Sequence, residues 1–259
     1  IENIKNIKEK INFIQGDITD VDTCKEATKN IDVIFHLAAF ISVPESIENP
    51  QKCYRINIDG TKNLLKCAKE NKAYSFVLSS SSAVYGMVNE KCSENMFCQP
   101  TSPYGFSKLI GENWCQEYSR MTPLRTVCLR YFNVYGDRQN AQGGYAAVVA
   151  KFKSSMSRQK PLVVFGDGYQ TRDYIPVKSI VKANLLLGTM LNKKINGGIF
   201  NIATGNSITI FELIDLLKKE FPAYTTQVLF EKERKGDIRH SHADISKYND
   251  MKAFLQSIS

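Results

Sequence analysis

Two residue types that handle protons stand four apart at Tyr104 and Lys108, and a run of four hydroxyls, Ser79 to Ser82, lies upstream of them. Oxidising an alcohol requires a base beside its hydroxyl and a hydride acceptor above its carbon. A tyrosine serves as that base only when its pKa falls from about 10 toward neutrality, a shift worth roughly 4 kcal/mol. A neighbouring ammonium supplies a field of the right sign, and Ser81 can orient the substrate hydroxyl by hydrogen bond. The same Tyr-x-x-x-Lys spacing recurs at Tyr174/Lys178 and Tyr248/Lys252, so spacing alone selects nothing. Pro176 interrupts the second pair, and no serine run precedes the third. The bland alternative for Tyr104 is an ordinary aromatic at a helix start; the serines upstream favour the chemical reading.

The elements that must position these groups follow from the pattern. The apolar run Phe76-Val77-Leu78 ends abruptly in serines, as a buried strand delivering hydroxyls to the rim of a sheet would, and Pro103 suits the first position of a helix. A helix from there to about Arg120 puts Tyr104 and Lys108 on one face. Upstream, Ile11-Asn12-Phe13-Ile14 alternates as a short strand, stopped by Gly16-Asp17. Val21 to Lys29 reads as a helix, Ile31 to Ala39 as a strand, Cys53 to Glu70 as a helix and Thr126 to Phe132 as a strand. Such alternation predicts βαβ units, hence an α/β fold with a Rossmann-like doubly wound parallel sheet.

After Asn133 the texture changes. Gly136, Gly143-Gly144, Gly166, Gly168, Gly197-Gly198 and Gly205 punctuate shorter elements, as a smaller C-terminal α/β domain requires. The helix around Val177 to Leu191 and the strand Gly198 to Ala203 are assigned back to the main sheet. The expected division is 1–133 plus about 174–203 for the sheet domain, and about 134–173 plus 204–259 for the smaller one.

The 259 residues, 43% hydrophobic and 23% charged, are those of a globular protein. No run approaches the roughly 20 apolar residues of a membrane span, and the first residues do not resemble a signal peptide, so the expected setting is cytoplasmic, with no membrane partner. Seven cysteines without a C-x-x-C pair indicate neither a disulfide framework nor a zinc knuckle. The net charge of +8 is spread along the chain rather than gathered among stacking aromatics, which argues against a nucleic-acid partner.

Several blocks follow one another in order: Gly16-Asp17-Ile18-Thr19-Asp20, His36-Leu37-Ala38-Ala39, Asn57-Ile58-Asp59-Gly60-Thr61, Ser79 to Gly86, Ser102 to Lys108, Leu129 to Gly136, Gly166-Asp167-Gly168 with Thr171 to Tyr174, and Gly236-Asp237 with Ala243-Asp244. Along essentially its whole length the chain resembles the extended short-chain dehydrogenase/reductase family, in its NAD-dependent nucleotide-sugar epimerase branch. The resemblance implies a catalytic set of Ser81, Tyr104 and Lys108. It implies that NAD meets Asp17 and Ile18 at the adenine, Leu37, Ala38 and Ala39 along the dinucleotide, and Asn57, Ser79, Tyr131 and Phe132 on the nicotinamide side, with Lys108 also on the ribose. Asn133, Arg172, Arg234 and Asp237 would hold a UDP moiety, with Ala147, Val148, Val163, Val164 and Phe165 around the uracil and Ser81 and Ser241 facing the sugar. Arginines suit a diphosphate because their planar fork pairs with two oxygens at once. Without the flanking blocks, Arg172 and Arg234 would read as solvated surface charges. A homodimer through the Cys53 to Glu70 and Tyr104 to Arg120 helices is also implied, and no metal: His240 and His242 lack a settled third ligand.

Relatives that dehydrate or decarboxylate their sugar usually carry acidic residues just after the catalytic hydroxyl, where this chain has Ser82 and Ala83. Neither can move a proton as an acid, so the resemblance narrows to 4-epimerisation through a 4-keto sugar. Ser241, where a bulky aromatic would confine the pocket to plain hexoses, points to UDP-N-acetylglucosamine/UDP-N-acetylgalactosamine, with UDP-glucose/UDP-galactose also possible. A UDP-glucuronate epimerase or decarboxylase and a non-catalytic UDP-sugar or protein binding module stay open. The glycine-rich turn G-x-x-G-x-x-G or G-x-G-x-x-G of a dinucleotide fold is not found in the sequence, nor a counterpart of the first βαβ unit. A sheet without its central strand would have raw inner edges, so the chain reads as part of a longer protein.

Overall fold

The computed structural model describes residues 2–141, 147–190, 193–233 and 238–257. A 3-10 helix over Glu2–Lys10 leads to α1 (Val21–Ala27), which the Asp20 carboxylate caps by accepting from the amides of Asp22 and Thr23. The expected strand at Ile11 to Ile14 is irregular backbone, with Ile11 and Phe13 40% and 45% exposed. Alternation is not enough without a neighbour, because an isolated strand has no partner for its amides and carbonyls.

The main sheet has four parallel strands, β1 (Val33–His36), β2 (Ser75–Ser81), β3 (Arg125–Tyr131) and β7 (Gly198–Ile202), ordered β1-β2-β3-β7. This sheet has no internal gap. Among the described residues β1 pairs with β2 on one side alone, so its other side is an open edge.

Helices cover both faces. On one, α4 (Gly60–Glu70) and α5 (Pro103–Met121) bury Leu64, Leu65, Ala68 and Cys115 against Phe76, Leu78 and Cys128. On the other, α7 (Val177–Thr189) and α9 (Ser246–Ser257) bury Ile180, Ala183, Leu187 and Leu255 against Val77, Val127, Leu129 and Phe200. α2 (Val43–Glu48) is followed by one helical run from Pro50 to Glu70, made of α3 (Pro50–Tyr54), a wide turn at Arg55–Asp59 and α4. Wide turns of this kind concentrate at functional sites, and this one carries Asn57.

The smaller layer is built from β4 (Asn133–Tyr135), β6 (Thr171–Pro176) and β8 (Ser207–Thr209) in one sheet, and β5 (Leu162–Phe165) beside β9 (Val228–Glu231) in another. Helices α6 (Val148–Ser157) and α8 (Ile210–Glu220) cover them, burying Val149, Phe152, Met156, Leu213 and Ile214 around Leu162 and Val164. Thr209 and Glu212 close a reciprocal cap at the start of α8. At Gly168, φ is 83° and a Cβ would meet the Phe211 ring at 2.6 Å, so the turn between β5 and β6 needs glycine there. All seven cysteines are free thiols. Among the described residues no helix is long and apolar enough to cross a membrane.

Candidate active site

Strand β2 ends in three serines whose side chains alternate across the sheet. The Ser102 hydroxyl starts α5 by accepting from the Gly105 amide, with Pro103 in the first turn. One face of that helix then descends along the serines at intervals of four residues. The Ser81 hydroxyl lies by the Tyr104 phenol and favours its ionised form, Lys108 Nζ donates to the Ser79 carbonyl at 2.9 Å, and Glu112 accepts from the Ser80 hydroxyl at 2.5 Å. The sequence-selected pair is thereby separated from its decoys: Lys178 is exposed near the start of α7, and Tyr248 belongs to α9 on the opposite face of the sheet.

Electrostatics around this face are set by burial. Lys108 is 6% exposed, and burial brings its ammonium down to about 8, opposed by the Cys53 thiol and Glu112. Burial pushes Tyr104 up, and the Ser81 hydrogen bond opposes that rise. Lys108 Nζ lies 5.9 Å from the centre of the Tyr104 ring. Burial, and secondarily the Lys108 charge, lower His36 to about 3, so this imidazole is neutral at physiological pH and pairs through Nε2 with the Thr61 hydroxyl at 2.9 Å.

The candidate cofactor residues lie at the carboxyl ends of adjacent parallel strands, where α/β sheets bind ligands. His36 is in register with Leu78 and Ser81 with Tyr131, so Leu37 to Ala39 follow β1 beside the serine end of β2, and Phe132 follows β3. Leu37 is 58% exposed and Ala38 is exposed too. Both help line a groove of about 280 Å³. Asn57 fixes the loop beyond them, accepting from the Phe40 amide at 2.7 Å and donating to its carbonyl at 3.0 Å. The Tyr131 hydroxyl is held between Ser79 (3.2 Å) and Asn184 (2.9 Å), while Phe132 is buried against Tyr85. Asp17 is exposed and held below the usual carboxylate range by hydrogen bonds from Thr19; Ile18 packs over Gly60.

On the other side, a cavity of about 350 Å³ is lined by Asn133, Ala147, Val148, Val163, Val164, Phe165 and Arg172 together. Lys151, Gln170 and Tyr174 complete its wall, and sequence reasoning missed them. Arg172 donates to the carbonyls of Thr171 (2.9 Å) and Arg239 (3.3 Å). Ser241 is buried outside this lining, its amide bonded to the Thr171 carbonyl and its carbonyl accepting from Ser207. Arg239, also missed, makes a two-pronged pair with Asp167 at 2.9 and 2.7 Å. Arg234 and Asp237 lie outside the described residues. Among the described residues no three His, Cys, Asp or Glu side chains gather as metal ligands.

A family model described as the NAD dependent epimerase/dehydratase family matches residues 2–203. The chain belongs to this family. Its cofactor is accordingly NAD, and the residues present fit part of it: Leu37 and Ala38 are exposed after β1, and a phenol, an ammonium and hydroxyls stand at the end of β2, whereas the sequence holds no glycine-rich turn for the pyrophosphate. Among sequence relatives, a putative UDP-glucose 4-epimerase of Methanocaldococcus jannaschii is 37% identical over 248 residues, covering 95% of this chain and 79% of its own length. Among solved structures, a UDP-N-acetylglucosamine 4-epimerase from Methanobrevibacter ruminantium M1, in complex with UDP-N-acetylmuramic acid, is 37% identical with a TM-score of 0.90, covering 98% of this chain and 83% of that one. The UDP-glucose 4-epimerase of Thermus thermophilus, in complex with NAD, is 29% identical with a TM-score of 0.87, covering 96% and 81%.

Proposed function

We propose that the protein interconverts the C4 epimers of a UDP-hexose, with UDP-N-acetylglucosamine and UDP-N-acetylgalactosamine as its preferred pair. What supports this reading is that one chain carries both a Ser81-Tyr104-Lys108 face at the end of β2 and a separate cavity of about 350 Å³ walled by Val163, Val164 and Phe165. Relatives named UDP-glucose and UDP-N-acetylglucosamine 4-epimerase support it.

Leu37, Ala38, Ala39, Asn57, Ser79, Tyr131 and Lys108 would hold NAD, with Asp17 and Ile18 at its adenine end. When bound, NAD would supply the acceptor and returning donor for the C4 hydride. The remaining chemistry belongs to the chain. Ser81 orients the C4 hydroxyl, and Tyr104 takes its proton as the hydride departs, leaving a 4-keto sugar. The ring turns while the diphosphate stays held by Arg172 and Arg234, and Tyr104 returns the proton after the hydride reaches the other face. Burial alone opposes this role, since it raises Tyr104 and lowers Lys108; Ser81 and nearby positive charge must therefore lower the phenol's pKa. Ser82 and Ala83, which follow the reacting serine, bring no acid for elimination or decarboxylation.

Incubation with UDP-N-acetylglucosamine and, separately, with UDP-glucose, followed by separation of the C4 epimers, tests the reading; no epimer from either would end it. Ser241→Tyr is expected to lose the N-acetylated pair first, and unchanged relative rates on the two pairs would remove the substrate assignment. A cytoplasmic homodimer through α3, α4 and α5 belongs to the same proposal, checked by light scattering of the purified protein.

A further inference from the structure

A line of polar side chains crosses the sheet beneath the reacting groups. Ser80 of β2 is in register with Arg130 of β3, and Arg130 with Asn201 of β7. All three are buried, at 3%, 3% and 0% exposure. Glu112 joins Ser80 to Arg130, whose Nε and Nη2 donate to its two oxygens at 2.9 and 2.7 Å. Arg130 in turn lies over the Tyr85 ring, 4.7 Å from its centre, and the Tyr85 hydroxyl donates to Asn201 Oδ1 at 2.6 Å.

The far end of the line has a directional feature. With Oδ1 fixed by Tyr85, the Asn201 amide group points the other way and donates to two backbone carbonyls, Cys92 and Asp244, both at 3.0 Å. Those two segments are themselves laced together: the Cys92 amide donates to the His242 carbonyl and the Asp244 amide to the Cys92 carbonyl. Ser241 sits at the start of that lacing, 8% exposed, its backbone tied to Thr171 and Ser207 of the smaller layer. This carboxamide thus joins the His242-Gly205 hydrogen bond and the packing of Ala243 in the cluster of Val84 and Phe132 in tying the sheet to the segment that carries Ser241.

We propose that Asn201 is a positioning residue for the sugar pocket: through Cys92 and Asp244 it sets the distance between the Ser241 segment and the Ser81-Tyr104 face. It touches neither substrate nor cofactor. The inference rests on the UDP-hexose epimerase reading for its choice of substrate, and the experiment separates the two.

Steady-state kinetics and thermal unfolding are compared for wild type, Asn201→Ser and Tyr85→Phe. Asn201→Ser offers one hydroxyl donor in place of two amide donors, so at least one carbonyl of the segment loses its partner, and its KM for the UDP-hexose should rise about tenfold with kcat and NAD affinity held. Tyr85→Phe removes a hydrogen bond from the same carboxamide but leaves both donors in place, so its Tm should fall while KM stays at the wild-type value. A purely structural Asn201 would lower Tm in both variants and leave KM alone in both, and that result overturns the proposal. Should Asn201→Ser fail to fold, Asn201→Thr, which carries the same single donor on a side chain whose shape suits a strand, should raise KM likewise; an unchanged KM there overturns it equally. Absence of turnover in the wild type would defeat the functional reading and this inference with it, whereas wild-type turnover with an unaltered variant KM defeats the inference alone.

Discussion

The two sides of the candidate site are made on different principles. On the catalytic side, charges are buried and matched: Arg130 and Glu112 are 3% and 1% exposed and face each other through two hydrogen bonds. In the smaller layer, Arg239 and Asp167 pair with similar geometry, yet their side chains are 43% and 51% exposed. Nearly identical contacts therefore carry opposite weight. A buried pair deprived of one member leaves a charge without water or partner, whereas an exposed pair exchanges its partner for solvent at little cost. The lesson is that the face carrying Tyr104 and Lys108 is fixed by folding, whereas the smaller layer holds Arg239 in a pair that solvent can replace.

The comparison can be broken most directly at Arg130. Arg130→Met should destabilise the protein by about 3–5 kcal/mol, read by denaturant unfolding; a cost comparable to that of Arg239→Ala would show that burial does not separate the two sides. Next in size is the reacting phenol. Tyr104→Phe should lower kcat by roughly 10²–10⁴-fold with substrate affinity little changed, checked by epimer formation and by UDP-hexose binding. A drop in binding instead of kcat would move Tyr104 out of the proton-transfer role.

A smaller effect sharpens the burial argument through His36. The unfolded chain takes up a proton there near pH 6.5, but the folded one only near 3. Stability should thus fall as pH drops through that window, by about 1.4 kcal/mol per pH unit, and the slope should be shallower in His36→Asn. Equal slopes in both proteins would mean that the imidazole is charged or accessible in the fold. Smallest of all, Arg239→Ala should leave Tm where it is, since both partners are solvated.

Much of the architecture was legible from pattern alone. Serine-ended strand, Pro103 and the four-residue spacing located β2, α5 and their shared face, because those signals are local. The failed strand at Ile11 to Ile14 shows the limit: alternation records which side chains a strand would bury, not whether another strand lies beside it. The cavity wall was foreseen at Asn133, Ala147, Val148, Val163, Val164, Phe165 and Arg172 through family blocks. Lys151, Gln170 and Tyr174 escaped because only the packing of α6 against β5 and β6 brings them there. Glu112 escaped for a related reason. It lies four residues beyond Lys108 on the same helical face, a signal that was present in the sequence, but its partner Arg130 is supplied by strand register, which spacing along the chain does not encode.

That register has a consequence for how the chain finds its fold. Side chains in a strand alternate between faces, so sliding β3 by one residue against β2 would turn Arg130 to the opposite side of the sheet. Glu112 would be stranded beside Leu78 and Cys115, and the guanidinium would face the apolar layer of Val77, Ile180 and Leu187. A hydrophobic sheet of valines and leucines tolerates such slips at modest cost, whereas an unpaired buried charge on each face does not. The ion pair beneath the serine end of β2 therefore penalises a misregistered β3 by leaving two buried charges unpaired.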